Sequence, residues 1–496
     1  LIHIAKILIR GLANPLASIP GPWYTRFTGL PAFYHDLRGD YLHWYRYLHD
    51  HYGSIVRVSP GEVSLASGAA FHQIHRANSG FTKGPAFDQV KTGPVASVFT
   101  MRDVVEHADR RRILLRAFTL ASLRKNWAER IHHQVQLAVS NIKRDAGGRN
   151  DSDGAGVADI YHWWRLMAAD IMAELTFGES LGMLASGCRS EYSTALANMS
   201  GNLMLQRALA LPFASLLARL PLPFIREAMR GAKTIYDQGE AAVNNLKSRP
   251  DFQSIFSEIL ADAETQKEGS LSDDAIRTEV ATMQIAGSDS IAVTLTYAVW
   301  AVLTQPAVRE RLESELIGSL EPNFSPQDLE ALPVLNNVID ETLRLYSPAS
   351  STTKRLVPPT GAVFGNYYLP KGTHVVNLPW LTYRLSDIFP DPDRRPLGGF
   401  RPIIIVCPSS LFDDTRFEKL TDKQKEAFLP FGFGPRSCIG MHLAKMVCRL
   451  SLAILFRECQ GLRVDKRTSD AMMAQHVAFF ITPKSDSCYV TLRESK

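Results

Sequence analysis

A chain of 496 residues that is 45% hydrophobic carries enough apolar material for one large core or several. Its formal net charge is only +5, with no lysine or arginine run and no aromatic-basic interleaving, which argues against a nucleic-acid partner and leaves an anionic membrane open. Six cysteines without a single CxxC pair argue against a zinc site and a dense disulfide scaffold, and suit a reducing compartment.

The first residues, LIHIAKILIRGLANPLASIPGPW, are apolar but interrupted by Lys6 and Arg10. The stretch is too short for a membrane span of about 20 residues. It reads as the tail end of a membrane anchor or as a surface helix, followed by a stiff, non-helical hinge at PLASIPGPW. Residues 54–66, SIVRVSPGEVSLA, form two alternating runs around Ser-Pro-Gly and predict a hairpin. From about residue 104 to 346 the periodicity is helical. At its start, HADRRRILLRAF sets His107 and Arg111 on one face of a cationic patch. That patch is either a solvated basic face or a grip on a dianion such as paired carboxylates or phosphates. DAGGRNDSDGAG, 145–156, predicts a surface loop. The apolar segment 209–229, broken by Pro212, Pro221 and Pro223, reads as core packing or as a greasy lid admitting an apolar ligand.

The run 280–308 contains one charged residue, Asp289. Counted from Ser272 to the break at Pro306, it predicts a helix of about 33 residues, roughly 50 Å long. So apolar a helix crosses either a bilayer or the middle of a large protein, and the polar trio Ser288, Asp289 and Ser290 favours the second. Gly287 weakens the helix there and Ser290 can bond back to the Ala286 carbonyl, so AGSDS reads as a widened groove holding an acid and an alcohol. Glu341 and Arg344 share a helix face, which alone predicts only a solvated pair. YYLPKGTHVV, 367–376, predicts a second hairpin turning at Pro370 to Gly372.

Near the end stands FGFGPRSCIG, 431–440, where Gly432 and Gly434 permit close approach and Pro435 stiffens the turn. Leu443, Met446, Val447, Leu450 and Ile454 mark an amphipathic helix that Cys438 is expected to open. A thiol at a helix N-terminus beside Arg436 favours thiolate, which makes it a nucleophile or a metal ligand.

In chain order these pieces are a basic helix, a long apolar helix with AGxDS, an ExxR helix and FxxGxRxCxG. The set resembles the cytochrome P-450 superfamily of thiolate-haem monooxygenases, in its fungal microsomal form. Phe431, Gly434, Arg436, Cys438 and Gly440 match the haem-loop signature at every position, and IPGPW, AELTFGES and FPDPD extend the likeness along the chain. The resemblance implies a mainly α fold with small β-sheets, in which haem b (iron protoporphyrin IX) lies between a long central helix and the cysteine loop. Residues 1–22 would be an anchor remnant and hinge, and residues 23–496 a single haem domain.

Carried over residue by residue, the resemblance makes Cys438 the proximal thiolate ligand of the iron, with Phe431 and Gly432 packed beside it. His107, Arg111, Arg355 and Arg436 would hold the haem propionates, His107 standing where many relatives have Trp. Asp289 and Ser290 would be the catalytic acid and alcohol that deliver protons, with Ser in place of the commoner Thr. Glu341 and Arg344 would lock the proximal core. Substrate walls would come from residues 87–99, 209–224, 350–353 and 479–481. The implied activity is insertion of one oxygen atom from O2 into a hydrophobic small molecule of secondary metabolism. Electrons would come from an NADPH-dependent reductase at the endoplasmic reticulum membrane, with the catalytic domain facing the cytosol. The alternatives are an O2-independent thiolate-haem isomerase or dehydratase, against which the intact Asp289 and Ser290 pair argues, and a haem-binding protein impaired in catalysis.

One stretch departs from the family pattern. After FPDPD the family runs through a Phe-x-Pro-Glu-Arg-aromatic turn whose arginine completes a network with the ExxR pair. Here Pro402 is followed by Ile403, Ile404 and Ile405, so that glutamate and arginine are missing at this point. Residues 395–411 read as an error in the gene model, such as retained intron sequence, and their apolar run is an aggregation hazard. If the stretch is genuine, Arg401 or Arg416 has to complete the network.

Overall fold

The computed structural model describes residues 2–148, 156–188, 191–197, 223–249, 253–266, 271–349, 354–390, 412–477 and 479–492. Most of the predicted loop at 145–156, the apolar segment up to residue 222, the wall at 350–353 and the doubtful stretch 395–411 lie outside the described residues.

The architecture is mainly helical, and it is organised around one helix, Asp273–Thr304. The Ser272 hydroxyl caps it by accepting from the Ala275 amide, and Asp273 and Asp274 complement the positive end of its dipole. It stops where Pro306 forces Gln305 out of helical geometry. Of its most apolar stretch 83% is buried inside the protein, so its hydrophobicity serves the core. Helices Ile160–Phe177, Pro223–Ser248, Pro333–Tyr346 and Met441–Glu458 pack around it. Gly287 is needed for that packing, because a Cβ there would lie 2.5 Å from Met172 Sδ on Ile160–Phe177. Further along, Tyr297 stacks on Tyr346 with ring centroids 4.4 Å apart, tying the central helix to Pro333–Tyr346.

The principal sheet has four strands in the order Ile55–Ser59, Glu62–Leu65, His374–Val376 and Arg355–Leu356. The first predicted hairpin is present, with its register shifted between Arg57 and Ser59. The second is not. Tyr367–Leu369 pairs back onto Ala362–Phe364, while His374–Val376 lies parallel to Glu62–Leu65 and antiparallel to Arg355–Leu356. Burial explains the divergence: Val375 and Val376 are successive and both buried, as in a central strand covered on both faces, whereas Tyr368 is exposed.

The Pro-rich hinge is held from below by Arg57, whose buried guanidinium donates to the carbonyls of Leu16, Ile19 and Pro22 at 3.0, 2.7 and 3.2 Å. A guanidinium with five donors can thus satisfy a non-helical segment that has no ladder of its own.

Candidate active site

The cysteine loop is shaped by two left-handed glycines, Gly432 at φ 76° and Gly434 at φ 70°. At Gly434 a Cβ would overlap the His75 carbonyl oxygen, so the loop can approach the helix Gly68–His75 only through glycine. The Cys438 amide closes the loop by donating to the Phe431 carbonyl at 2.7 Å. The following helix begins at Met441 with Gly440 as its N-cap, so the thiol precedes the helix instead of opening it. The apolar face predicted for that helix, from Leu443 to Ile454, is buried.

The expected preference for thiolate is also corrected. Burial pushes the Cys438 thiol up, and the Gly440 amide and the Arg111 cation only partly oppose it. Arg436 does not supply that cation, because its guanidinium is drawn to the carbonyls of Met101, Arg102 and Asp103. Arg111 instead donates to the Ser437 carbonyl at 2.7 Å and to Ser437 Oγ at 3.1 Å, bracing the loop one residue before the sulfur.

Cys438 opens into a cavity of about 340 Å³. Phe431, Gly432 and Cys438 line one side, and Ala286, Gly287 and Ser290 of the central helix line another. Arg355 and Arg436 also line it, joined by Lys83 and His75, which the sequence reading does not single out. The only sequence signal at Lys83 is a lone lysine between a β-bridge residue, Thr82, and Gly84-Pro85. Lys83 donates to the Phe99 carbonyl and lies 4.5 Å from the ring centroids of both Phe87 and Phe99. His75 Nε2 is buried without a hydrogen-bond partner. His107, 3% exposed, and Arg111 do not line the cavity themselves, but His107 lies close enough to feel the charges of Arg436, Lys83, Arg111 and Arg355.

Among the described residues none of Lys83, Arg111, Arg355 and Arg436 is ion-paired to a carboxylate. Burial and mutual repulsion lower their proton affinities: Arg355 and Arg436 fall to about 10, His107 to about 3 and His75 to about 2. Both histidines are therefore neutral, and His107 serves as a hydrogen-bonding ring instead of a cation. Several buried cations converging on one cavity without protein counter-ions fit a ligand that brings its own negative charges.

On the opposite wall the acid and the alcohol part company. Ser290 lines the cavity and its Oγ donates to the Ala286 carbonyl at 2.7 Å, as the sequence predicts. Asp289 turns away: it is buried, with Oδ1 3.2 Å from Arg165 Nε. Arg165 in turn donates to both oxygens of Asp486 at 3.0 Å, and that side chain is 54% exposed.

Beneath the cysteine loop, Glu341 and Arg344 form a two-pronged pair at 2.6 and 2.7 Å with both side chains fully buried, not the solvated contact their spacing alone suggests. Glu341 Oε1 also accepts the Asp413 amide at 3.2 Å, and Arg416 Nε lies 3.5 Å away. The arginine expected to be missing is thus supplied by Arg416. FDDTRF, 412–417, has the Phe-to-Arg-to-aromatic spacing of the family turn, with Asp414 and Thr415 in place of Pro and Glu. The substitution hides the motif from a pattern search, but Phe412 is buried in the core and Asp414 pairs with Arg311.

A thiol facing an apolar helix across a cation-lined cavity, inside a mainly helical fold, is an arrangement that suits a haem protein. The sequence profile described as Cytochrome P-450 matches residues 20–488, and the chain belongs to the cytochrome P-450 family, as a monooxygenase that binds haem. It is 34% identical over 490 residues to cytochrome P-450 monooxygenase stcB of Emericella nidulans, covering 97% of this chain and 89% of that one. Cytochrome P-450 monooxygenase aflV of Aspergillus parasiticus is 34% identical over 500 residues, with 99% and 94% covered. Cytochrome P-450 monooxygenase tazI of Aspergillus terreus is 34% identical over 497 residues, with 99% and 96% covered.

Proposed function

We propose that this chain inserts one oxygen atom of O2 into a hydrophobic small molecule of fungal secondary metabolism, using haem b and electrons from an NADPH-dependent reductase. The observation that carries the reading is the Cys438 thiol opening into the same cavity as Ser290 and the cations Lys83, Arg355 and Arg436. Bound haem supplies the redox chemistry by which one oxygen atom enters the substrate and the other leaves as water.

The chain's own residues do the rest. Cys438 would hold the iron as thiolate, the metal's charge offsetting the burial that otherwise keeps the thiol protonated. Lys83, Arg355 and Arg436 would hold the propionates from the cavity wall, with Arg111 and the neutral ring of His107 behind that wall adding a cation and an N–H donor. Ser290 holds a proton at its Oγ on the cavity wall. Asp289 stands one residue behind it and, through Arg165, beside the half-exposed Asp486, a polar route toward solvent. Exposed Ile9, Leu12, Trp23 and Leu30 support contact with a membrane at the N-terminal end; the proposed location at the endoplasmic reticulum, with the catalytic domain facing the cytosol, rests on the family likeness.

Reduction of the haem-loaded protein under CO tests the assignment. The wild type is expected to show the red-shifted band of thiolate ligation and Cys438→Ala to lack it; the reverse, or identical spectra, would sink it. Substrate turnover without consumption of NADPH and O2 would move the enzyme to the isomerase or dehydratase class.

A further inference from the structure

Most polar side chains of the cavity fall into two groups. His75, Lys83, Arg355 and Arg436 surround the Cys438 side. The second group is hydroxyls on or against the central helix, Ser290, Thr294, Thr282 and Thr92, while Ser347 and Lys445 also line the cavity. Ser290 and Thr294 each donate to the carbonyl four residues earlier. Thr282 lies eight residues before Ser290, about 12 Å along the helix at 1.5 Å per residue.

Thr92 comes from the loop 91–100 and meets Thr282 hydroxyl to hydroxyl at 3.1 Å. Both oxygens also reach the Thr278 carbonyl, Thr282 at 2.8 Å and Thr92 at 3.3 Å. Each threonine owns one hydroxyl proton and two lone pairs. A carbonyl can only accept, so any arrangement that keeps two hydrogen bonds within the trio spends both protons inside it. Thr92 Oγ1 keeps at least one lone pair, and Thr92 lines the cavity. This spot accepts a hydrogen bond from a ligand without losing any of its own, and can give one only by breaking a bond within the trio.

The loop is fixed in place. Buried Glu279 accepts the Val98 amide at 2.7 Å and pairs with Arg110 at 2.9 Å. Gly93 lies so close to the central helix that a Cβ would overlap Thr278 Oγ1. Around Thr92 the walls are apolar and aromatic. Phe99 meets Phe479 edge-on at 5.9 Å, Phe479 meets Phe480 at 5.0 Å, and Met172, Met283 and Ile285 complete the surface.

We propose that Thr92, oriented by Thr282, selects substrates that are elongated aromatic molecules carrying a hydroxyl donor at the end remote from the carbon to be oxidised. The proposal rests on the monooxygenase reading, which places oxidation near Ser290 and Cys438. An acceptor-only ligand, such as the methyl ether of the same skeleton, gains a bond to Thr92 only in exchange for one broken within the trio, whereas a donor adds a bond outright.

The test uses the haem-loaded protein and two probes, para-phenylphenol and para-methoxybiphenyl, with affinities read by calorimetry. The wild type is expected to favour the phenol about tenfold, the scale of one net hydrogen bond. Thr92→Val, which keeps the shape and loses the acceptor, brings the two probes to near parity, and Thr92→Ser restores the preference. Equal affinities in the wild type, no measurable binding of either probe, or full discrimination surviving in Thr92→Val would each overturn the proposal. CO spectra of the same preparations keep the two readings apart. Discrimination without a thiolate band leaves the donor site standing and removes the oxygenase; a thiolate band without discrimination removes the donor site alone.

Discussion

Glu341 and Glu279 are both fully buried glutamates paired with arginine, one beneath the cysteine loop and one on the central helix against the loop 91–100. They differ in how completely they are satisfied. Glu341 meets Arg344 through both oxygens and adds the Asp413 amide and the nearby Arg416. Glu279 crowds the Val98 amide and Arg110 onto Oε1 and leaves Oε2 buried with no partner. Burial raises both; at Glu341 it is opposed by Arg344, Arg416 and the Asp413 amide, while Glu279 is driven up to about 7. The same residue type, equally dry, is a lock where its lone pairs are filled and a titratable latch where half of them are not.

The sharpest way to break the lock is Glu341→Ala, which strips the buried Arg344 guanidinium of its two-pronged carboxylate partner. Unfolding by denaturant should show a loss of about 3 to 5 kcal/mol, with haem content falling in parallel. A loss no larger than that of a surface substitution would mean the pair carries no structural weight.

Glu279 should give the next largest signal, and its sign is fixed by linkage. Its folded proton affinity, about 7, lies above the ordinary value of 4.5. Below that ordinary value both folded and unfolded chains are protonated and the stabilisation is fully present. As pH rises through 7 it is lost, by on the order of 3 kcal/mol in total. Stability of the wild type relative to Glu279→Gln should therefore decline between roughly pH 4.5 and 7 and level off above. A flat difference across that window would show that Arg110 already holds the carboxylate ionised.

For the proton pair, Ser290→Ala should preserve haem and substrate binding yet lower the coupling of NADPH to product about a hundredfold, the deficit appearing as peroxide. Asp289→Asn should do the same by weakening the link to Arg165. Unchanged coupling in both would reduce the groove to packing. The smallest effect is expected at Arg416, which reaches Glu341 at 3.5 Å from a partly solvated position. Arg416→Ala should cost about 1 kcal/mol, far less than Glu341→Ala, and equal losses would make Arg416 a full member of the lock.

Local rules made much of this protein legible before any fold was known. The Ser272 cap, the break at Pro306, the back-bonded Ser290 and the glycine turn before Cys438 depend on contacts a few residues apart or on backbone limits of glycine and proline. The family motifs around Cys438 and Glu341 are equally local strings, so the fold and the thiol could be read from them. Tertiary structure decided the rest, for reasons of distance and desolvation. Lys83 and His75 become part of the cation-lined cavity only because the loop and the helix that carry them pack against the cysteine loop. Arg416 reaches Glu341 across a separation that no periodicity encodes, and His374–Val376 leaves its neighbour to fill the middle of a sheet. Burial raises Cys438 against its helix and neutralises His107. The penalty for charge in a low dielectric is set by all the surrounding chain, which no short segment contains.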